Sequence, residues 1–230
     1  MKFYLLLASL TLTGCAANPT HIQDPLESLN RKVYQFNEVA DRAVLKPVAK
    51  GYNAVVPEFA KLMVTNFFSN LEDVVTTAND LLQFKFSQAA SDGSRVLFNS
   101  TFGVLGLFNV ADGLEKHRED FGQTLGFWGV GNGPYIMLPI FGPSALRDSV
   151  GLYADTISNP GNHIQDIPTR NQLYVLDKIN IRAGLIAQEK LLDTAALDRY
   201  SFLRDAYLQR RISQVHDGTP PRVKFEDEDF

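Results

Sequence analysis

The most reactive side chain in the sequence is the thiol of Cys15, the one cysteine in 230 residues. It follows a positively charged start, an apolar run over residues 3–12 and two small residues, Thr13 and Gly14. A thiol can act as a nucleophile in covalent chemistry, and small neighbours leave the bond before it accessible to a peptidase. We predict that residues 1–14 are a secretory signal peptide, because the apolar run is too short to span a membrane.

The four residues from Leu12 to Cys15 resemble the bacterial lipobox, which implies lipidation of Cys15. The alternative is a buried cysteine beside a conventional cleavage site. Lipoproteins of this kind carry three acyl chains, and two or more chains anchor a protein stably. Ala16 stands where an aspartate would favour the inner membrane, so the resemblance implies the periplasmic leaflet of a Gram-negative outer membrane. Residues 15–23 are then a lipidated tether.

Other reactive constellations are missing from the sequence. A lone cysteine excludes an internal disulfide and a cysteine-based zinc cluster, and there is no G-x-S-x-G elbow or nucleotide-binding loop. His117, Glu119 and Asp120 match no standard metal-ligand spacing. The histidines lie far apart in sequence, at His21, His117, His163 and His216. We predict a protein that is not an enzyme and has no metal site, although the fold could bring distant histidines together.

The longest uncharged stretch lies between Asp120 and Arg147 and holds 26 residues, including six glycines and three prolines. It is long and apolar enough to cross a hydrocarbon core, but its glycines and prolines exclude one continuous helix. We expect a short helix near 120–128, a glycine-rich hairpin through Pro143 and a helix resuming at Ser144. Irregular backbone at membrane depth survives only inside protein or beside a wet cavity. The stretch is therefore a membrane-depth hairpin beside a pore, or a glycine-rich turn in an ordinary core.

Amphipathic helices must position this hairpin. Apolar residues at spacings of three and four predict helices from Asp24 to Pro47, from Pro57 to about 82 and from Ser144 to about 157. Asp24 is the expected N-cap of the first helix, and Pro25 is expected at its first helical position. Two more are expected at 169–194, after a capping box, and at 196–215.

The remaining segments complete an all-α domain. Residues 48–56 are expected to form a short connector, helical or irregular, and 86–95 a turn or helix start. Uncharged residues 96–111 are expected to start as a helix that loosens near Gly103 and Gly106, and they could lie in lipid. No run alternates convincingly with a period of two. We predict one ring-like domain of six or seven helices over residues 24–215, followed by a disordered acidic tail over 216–230.

The composition limits the partners. The hydrophobic share is 45% and the mean hydropathy −0.10, which are ordinary values, so any membrane contact must be local. The net charge is −4 and no run of five basic residues occurs, so we expect no nucleic acid partner. Trp128 and Tyr135 flank the hairpin, and such amphipathic rings favour the headgroup level of a membrane.

Several sequence segments resemble the MlaA/VacJ family of outer-membrane phospholipid-transport lipoproteins. The resemblance spans about residues 24–198. The segments are D-P-L-E-S-L-N-R (24–31), F-N (36–37), N-F-F-S-N-L (66–71), N-D-L-L-Q (79–83), R-E-D-F-G-Q-T-L-G-F-W-G-V-G-N-G-P-Y (118–135) and L-P-I-F-G-P-S-A-L-R-D (138–148). Phe84 departs from the pattern, which has glycine after Gln83. The residues that support the resemblance are Asn30, Arg31, Phe36, Asn37, Asn66, Asn79, Arg147 and Asp148.

The resemblance implies a ring of helices embedded mainly in the inner leaflet of the outer membrane. A central channel would remove mislocalised phospholipids from the outer leaflet and pass them to a soluble periplasmic lipid carrier, with a trimeric porin holding the ring. No cofactor is implied beyond the lipid on Cys15 and the transient phospholipid. The candidate channel and hairpin residues are Trp128, Gly129, Gly131, Asn132, Gly133, Pro134, Tyr135, Pro139, Gly142 and Pro143. Independently of the resemblance, the glycines and prolines of the hairpin suggest the hypothesis that it gates the channel.

Two other function classes stay open from the sequence. One is an envelope lipase or acyltransferase, which hydrolysis of phospholipid by the purified protein would reveal. The other is a structural lipoprotein that scaffolds porins and has no need for its uncharged stretches to meet lipid.

Overall fold

The computed structural model describes residues 24–195 and 198–220. The predicted signal peptide, Cys15, its tether and residues 221–230 of the predicted tail lie outside the described residues. The helices are α1 (Glu27–Ala40), α2 (Lys46–Val55), α3 (Glu58–Leu82), α4 (Phe86–Thr101), α5 (Phe121–Phe127), α6 (Leu146–Ser158), α7 (Ile167–Ala195) and α8 (Arg199–Val215). A 3₁₀ turn, Pro160–His163, follows α6. Strands β1 (Tyr135–Leu138) and β2 (Gly142–Ala145) form an antiparallel hairpin.

Helical backbone continues past Pro47, so the prediction that the first helix ends there is wrong. A π-helical turn, Asp41–Leu45, joins α1 to α2, and the N–H of Lys46 bonds to the carbonyl of Asp41. Proline has no N–H, and its ring crowds the preceding turn. The wider turn before Pro47 relieves that crowding. If α1 and α2 are counted as one helix, the described chain has seven helices, which agrees with the predicted six or seven.

The segment expected as a turn or helix start at 86–95 is a helix start, since α4 begins at Phe86. Two further expectations change in detail. The segment between α5 and α6 contains two short strands, which the sequence did not predict. Glycine and proline occupy half of β2, so its side chains show no alternation with a period of two. The helix after the hairpin starts at Leu146, since Ser144 still pairs with Ile136.

The elements pack in a closed circuit, which confirms the predicted ring. Helix α1 contacts β1, β2 contacts α6, α6 contacts α5, and α5 contacts α3. Helix α3 contacts α7, and α7 packs along α2, which leads back to α1. Helix α8 contacts α5 and β2. The hairpin is therefore one link in the ring.

The ring carries its polar side chains inside and many large apolar ones outside. The buried apolar cluster in the described chain is small, with Tyr135, Met137, Tyr200 and Leu208 at its centre. By contrast, Phe102 is 71% and Leu105 70% exposed, in the second uncharged stretch. Exposed apolar surface on this scale marks contact with a membrane or another protein. Within residues 24–195 and 198–220, no helix is both long and apolar enough to cross a membrane.

Candidate functional site

Asn30 of α1 holds the free edge of the hairpin. Its side chain accepts a hydrogen bond from the N–H of Met137 at 2.9 Å and donates to the carbonyl of Tyr135 at 3.0 Å. These groups of β1 therefore face α1 instead of β2. Met137 lies opposite Pro143 in a pair that exchanges no backbone hydrogen bonds. The missing N–H of Pro143 is therefore tolerated. An asparagine thus replaces a third strand.

Asn37 repeats this arrangement at the hairpin loop. It accepts from the N–H of Ile140 at 2.8 Å and donates to the carbonyl of Leu138 at 2.9 Å. Asn30 and Asn37 are seven residues apart on α1, a rise of about 10.5 Å. The groups that they bind are three residues apart along the hairpin, a distance of about 10 Å, so the spacing of the two asparagines matches that of their partners. Ile140 has a φ of 69°, and such backbone strain costs about 1–3 kcal/mol in a β-branched residue. The two bonds of Asn37 offset that strain.

A guanidinium from α8 fixes the two ends of the central stretch. Arg211 donates to Asp120 at 2.6 and 2.9 Å, and to Asp148 at 2.8 and 3.0 Å. Asp120 also caps α5, accepting the N–H of Gln123 at 2.9 Å, and Asp148 accepts the hydroxyl of Tyr207 at 2.7 Å. Burial alone would raise the pKa of Asp120, but the hydrogen bonds from Arg211 hold it below its ordinary value. One cation therefore ties α5, α6 and α8 together.

Two glycines let α5 and α6 approach closely enough to share this cation. A Cβ at Gly151 would lie 2.3 Å from the nitrogen of Gly122, which is a clash with backbone. A Cβ at Gly122 would lie 2.7 Å from a carboxylate oxygen of Asp148. Any side chain at either position would push the carboxylates apart.

A cavity of about 470 Å³ lies among the inward faces of α3, α6, α7 and α8. Its wall residues recur at intervals of three and four, as one face of each helix requires. They include Phe68, Leu71, Glu72, Val75 and Thr76 on α3, Leu152, Asp155 and Thr156 on α6, Leu173, Tyr174, Asp177 and Lys178 on α7, and Arg210 and Gln214 on α8. Phe141, from the hairpin loop, also lines it. The hairpin therefore reaches the cavity through an aromatic ring next to the strained Ile140.

The cavity combines apolar walls with charged groups. Asp155 accepts the N–H of Phe121 at 3.1 Å and the amide of Asn79 at 3.2 Å. Burial raises the pKa of Asp155 to about 6, although the N–H of Phe121 acts in the opposite direction. The lining suits an amphipathic molecule, because acyl chains need apolar walls and a headgroup needs polar partners.

The comparisons with known proteins identify the family. The family model for the MlaA lipoprotein matches residues 22–214. The chain belongs to the MlaA lipoprotein family. It is 36% identical over 225 residues to the intermembrane phospholipid transport system lipoprotein MlaA of Escherichia coli (strain K12), covering 93% of this chain and 88% of that protein. The lipoprotein of the same name in Haemophilus influenzae is 34% identical over 224 residues, covering 93% and 89%.

A comparison with solved structures supports the same family for the fold of this MlaA family member. A chain of the structure described as "Structural basis for maintenance of bacterial outer membrane lipid asymmetry" is 34% identical in sequence to this protein and superposes on it with a TM-score of 0.74. The match covers 84% of this chain and 98% of that chain. The resemblance stated from the sequence is therefore confirmed.

The predicted channel and hairpin residues lie in the hairpin or beside it. In the described part of the chain, none of them lines the cavity. Gly129, Gly133 and Gly142 have φ values of 88°, 69° and 85°, which glycine alone adopts easily. The carbonyls of Asn132 and Pro134 accept the N–H groups of the two residues that open α6. Gly131 and Pro139 are exposed, and Pro143 is half-buried in β2. These residues shape the hairpin, whereas Phe141 extends it to the cavity.

The two flanking aromatic residues differ in exposure. Trp128 is 50% exposed and donates to the carbonyl of Leu82 at 3.2 Å. Tyr135 is fully buried, with ring centroids 6.2 Å from Tyr200 and 6.1 Å from Tyr207. Burial and then the nearby charge of Asp24 raise the pKa of Tyr135. The prediction that Tyr135 lies at headgroup level is wrong, because its ring completes the small apolar core.

Arg31 of α1 contacts a second helix. It pairs with Glu27 at 2.8 Å and with Asp198 at 2.7 Å, and its guanidinium lies 4.4 Å from the ring centre of Tyr200. These contacts link α1 to the start of α8. Phe36, on the same helix, is 56% exposed.

The other family-motif residues join elements of the ring. Asn66 donates to the carbonyl of Leu107 at 3.2 Å, and Asn79 accepts the hydroxyl of Thr124 at 2.8 Å. Arg147 donates to the carbonyl of Val130 at 3.4 Å, and to its neighbour Asp148 at 2.8 Å. They are structural links within the ring.

Sequence reasoning missed one buried cluster. Asp24, expected as an N-cap, makes no cap bond; its carboxylate accepts Asn30 at 2.8 Å and Tyr200 at 2.5 Å, and lies 3.5 Å from Arg204. No local pattern reveals this contact, because about 180 residues separate its partners. The departure at Phe84 has a clear outcome: its φ is 61°, a left-handed conformation that a glycine would adopt without strain.

Two other findings concern Arg211 and the chain end. Arg211 could have been suspected, since Arg210-Arg211 places adjacent cations on different sides of one helix. Beyond α8, the N–H of Gly218 bonds to the carbonyl of Ser213, and Asp217 forms an ion pair with Lys85. The ordered part therefore extends past residue 215, where the tail was expected to begin.

Proposed function

We propose that this chain is the outer-membrane lipoprotein of an intermembrane phospholipid transport system, and that its ring encloses a channel. Phospholipids that have strayed into the outer leaflet pass through the channel towards the periplasm, which maintains lipid asymmetry. Family membership and the names of the relatives support this assignment, since those proteins are phospholipid transport lipoproteins.

The observation that carries the proposal is the lining of the cavity. Leu71, Val75 and Leu173 offer walls for acyl chains, while Thr76 and Gln214 offer hydrogen bonds beside them. A ligand of drug size fits a cavity of this volume. A whole phospholipid is larger, so its chains extend towards the apolar exterior while its headgroup occupies the cavity.

The exterior supports residence in a membrane. Leu97, Val104 and Leu105, in the second uncharged stretch, are 68%, 56% and 70% exposed. A charge at such a position costs about 2.5–3.5 kcal/mol in hydrocarbon, which accounts for a stretch without charge. We propose that this surface embeds mainly in the inner leaflet and that acylated Cys15 anchors the chain from the periplasmic side.

We also propose two partners, a soluble periplasmic lipid carrier and a trimeric porin. A carrier is needed because the acyl chains of a phospholipid are costly to expose to the aqueous periplasm, at about 0.8 kcal/mol per CH₂. A porin would cover part of the exposed apolar surface. The hairpin is the proposed gate, because Phe141 lies beside the strained Ile140 at the cavity wall.

We propose no catalytic role for the chain. His117 bonds to Asp92 at 2.8 Å, and His163 and His216 bond to backbone carbonyls at 2.6 and 2.8 Å. His21 lies outside the described residues. None of these three imidazole rings is hydrogen-bonded to a hydroxyl or thiol in the described chain, and this arrangement favours passage of lipid over hydrolysis.

The proposal is tested by placing a photo-activatable cross-linking amino acid at Leu71 in cells with radiolabelled phospholipid. Leu71 lines the cavity, whereas Leu62 of the same helix is 53% exposed and lies about 180° around the helix axis. Transport predicts phospholipid adducts at both positions. Glu58, exposed and polar at the start of α3, is the control and should give none.

A scaffold would give a different pattern. If adducts form at Leu62 but never at Leu71, lipid contacts the ring from outside without entering it, and the transport proposal fails. Hydrolysis of phospholipid by the purified chain would instead favour a lipase.

A further inference from the structure

Three arginines that line the cavity form no ion pair within the described residues. The cavity has five basic side chains, of which Lys116 pairs with Asp73 at 2.6 Å and Lys178 with Asp177 at 2.8 Å. Arg118, Arg170 and Arg210 also line it, and no carboxylate of the described chain lies within 4.0 Å of their nitrogens. Their charges are available to a ligand.

Three of the cavity's five acidic residues pair with a cation. Glu119 binds Lys85 at 3.0 Å, Asp120 binds Arg211, and Asp177 binds Lys178. Asp155 accepts only neutral N–H groups, and Glu72 lies 4.0 Å from Lys116 and near enough to Arg118 to feel its charge. Two carboxylates without a close cation therefore stand against three arginines without an ion pair, so the surplus of unpaired charge in the cavity is positive.

The three arginines come from separate elements that the ring brings together. Arg118 precedes α5, and its carbonyl accepts the side chain of Gln123 at 2.9 Å, which fixes the backbone there. Arg170 lies in the first turns of α7, and Arg210 lies on α8. Consecutive residues on a helix are separated by about 100°, so Arg211 reaches the buried carboxylates while Arg210 faces the cavity.

We propose that Arg118, Arg170 and Arg210 form a subsite that binds the phosphodiester of a phospholipid headgroup. This deepens the proposed function by assigning the residues that recognise the headgroup. A guanidinium offers paired N–H donors that match two phosphate oxygens, and charge-assisted bonds of this kind are among the strongest in proteins. Because every glycerophospholipid carries the phosphate, the subsite accepts the class and favours anionic headgroups over zwitterionic ones.

The test measures binding of dihexanoylphosphatidylglycerol to the full purified chain in nonionic detergent by calorimetry. Each of Arg118→Gln, Arg170→Gln and Arg210→Gln should weaken binding about tenfold, the loss expected for a charged hydrogen bond. The matching lysine variants keep the charge and should lose less. Arg42→Gln is the control: Arg42 is exposed and lies outside the cavity, so binding should not change. Dihexanoylglycerol, which has no phosphate, should bind all variants alike.

Three results would overturn the subsite. If the triple glutamine variant binds the phosphatidylglycerol as the wild type does, the arginines do not recognise it, although lipid passage stands. If inorganic phosphate binds the wild type as tightly as the lipid, the site holds free anions and not headgroups. If the folded wild type binds neither lipid, the proposed function fails as well.

Discussion

Replacing Asn37 by alanine should loosen the hairpin without unfolding the ring. The side chain makes two neutral hydrogen bonds to the hairpin loop, at 2.8 and 2.9 Å, and each contributes about 1 kcal/mol net. A loss of about 2 kcal/mol corresponds to about 30-fold more frequent local opening. Ile140 then keeps its left-handed backbone without support. The helix itself gains slightly, since alanine is a better helix former than asparagine.

The measurement is native-state hydrogen exchange. Leu138 and Gly142 are paired across the hairpin, and their amides should exchange about 30-fold faster in Asn37→Ala. The free energy of global unfolding should fall by about the same 2 kcal/mol, because the unfolded state also lacks the two bonds, while amides outside the hairpin that open only locally should keep their exchange rates.

The control is Asn53→Ala, which removes an asparagine bonded to the carbonyl of Ala183 at 2.9 Å, away from the hairpin. It should leave hairpin exchange unchanged. The reasoning is refuted if the hairpin amides of Asn37→Ala exchange at the wild-type rate, or if both variants accelerate them equally.

Three further predictions test the supports of the site. Arg211→Met should cost about 1.5–3 kcal/mol in denaturant unfolding, the loss expected for charged hydrogen bonds, because Asp120 loses its cation while Asp148 keeps Arg147. Arg210→Met should stay within about 0.5 kcal/mol, and equal losses would contradict the three-element link. Gly151→Ala should prevent α5 from docking on α6, because the added Cβ meets backbone at 2.3 Å, and Gly184→Ala, with nothing within 4 Å, should stabilise α7 by about 0.5–1 kcal/mol; circular dichroism melting compares them. The pKa of Asp155 is about 6 in the folded protein and about 3.9 in the unfolded chain. The folded state therefore binds the proton more tightly, and protonated Asp155 stabilises the fold by at most about 3 kcal/mol. This stabilisation is fully present below about pH 4 and is lost as the pH rises through about 6. Asp155→Asn should remove this part of the dependence of Tm on pH, and an unchanged profile would show that other groups cause it.

Periodicity along the chain gave the helices reliably, but it failed where a contact elsewhere decided the local structure. Pro47 is a helix breaker by local rules, yet a π turn accommodates it. Tyr135 looks like an interfacial aromatic residue, yet its ring packs against Tyr200 and Tyr207. In each case the local preference was correct and tertiary packing outweighed it.

The candidate site was harder to predict than the fold. The sequence drew attention to the glycines and prolines of the hairpin, but only Phe141 of that loop lines the cavity. A cavity wall is assembled from one face of each of several helices, and the pattern of a single helix does not distinguish a face towards a cavity from a face towards a core. Arg210 illustrates this, because it becomes a candidate ligand group only when Arg211 is seen to be engaged.

The sequence by itself determined the helical class, the uncharged hairpin segment and the family, because these follow from short-range spacing and from runs of residues that stay together in the chain. Only the tertiary structure decided that α1 holds the hairpin through Asn30 and Asn37, that Arg211 joins three elements, and that three arginines share a cavity. Those contacts connect residues up to about 100 positions apart. Their distances depend on how the ring closes, which no local pattern encodes.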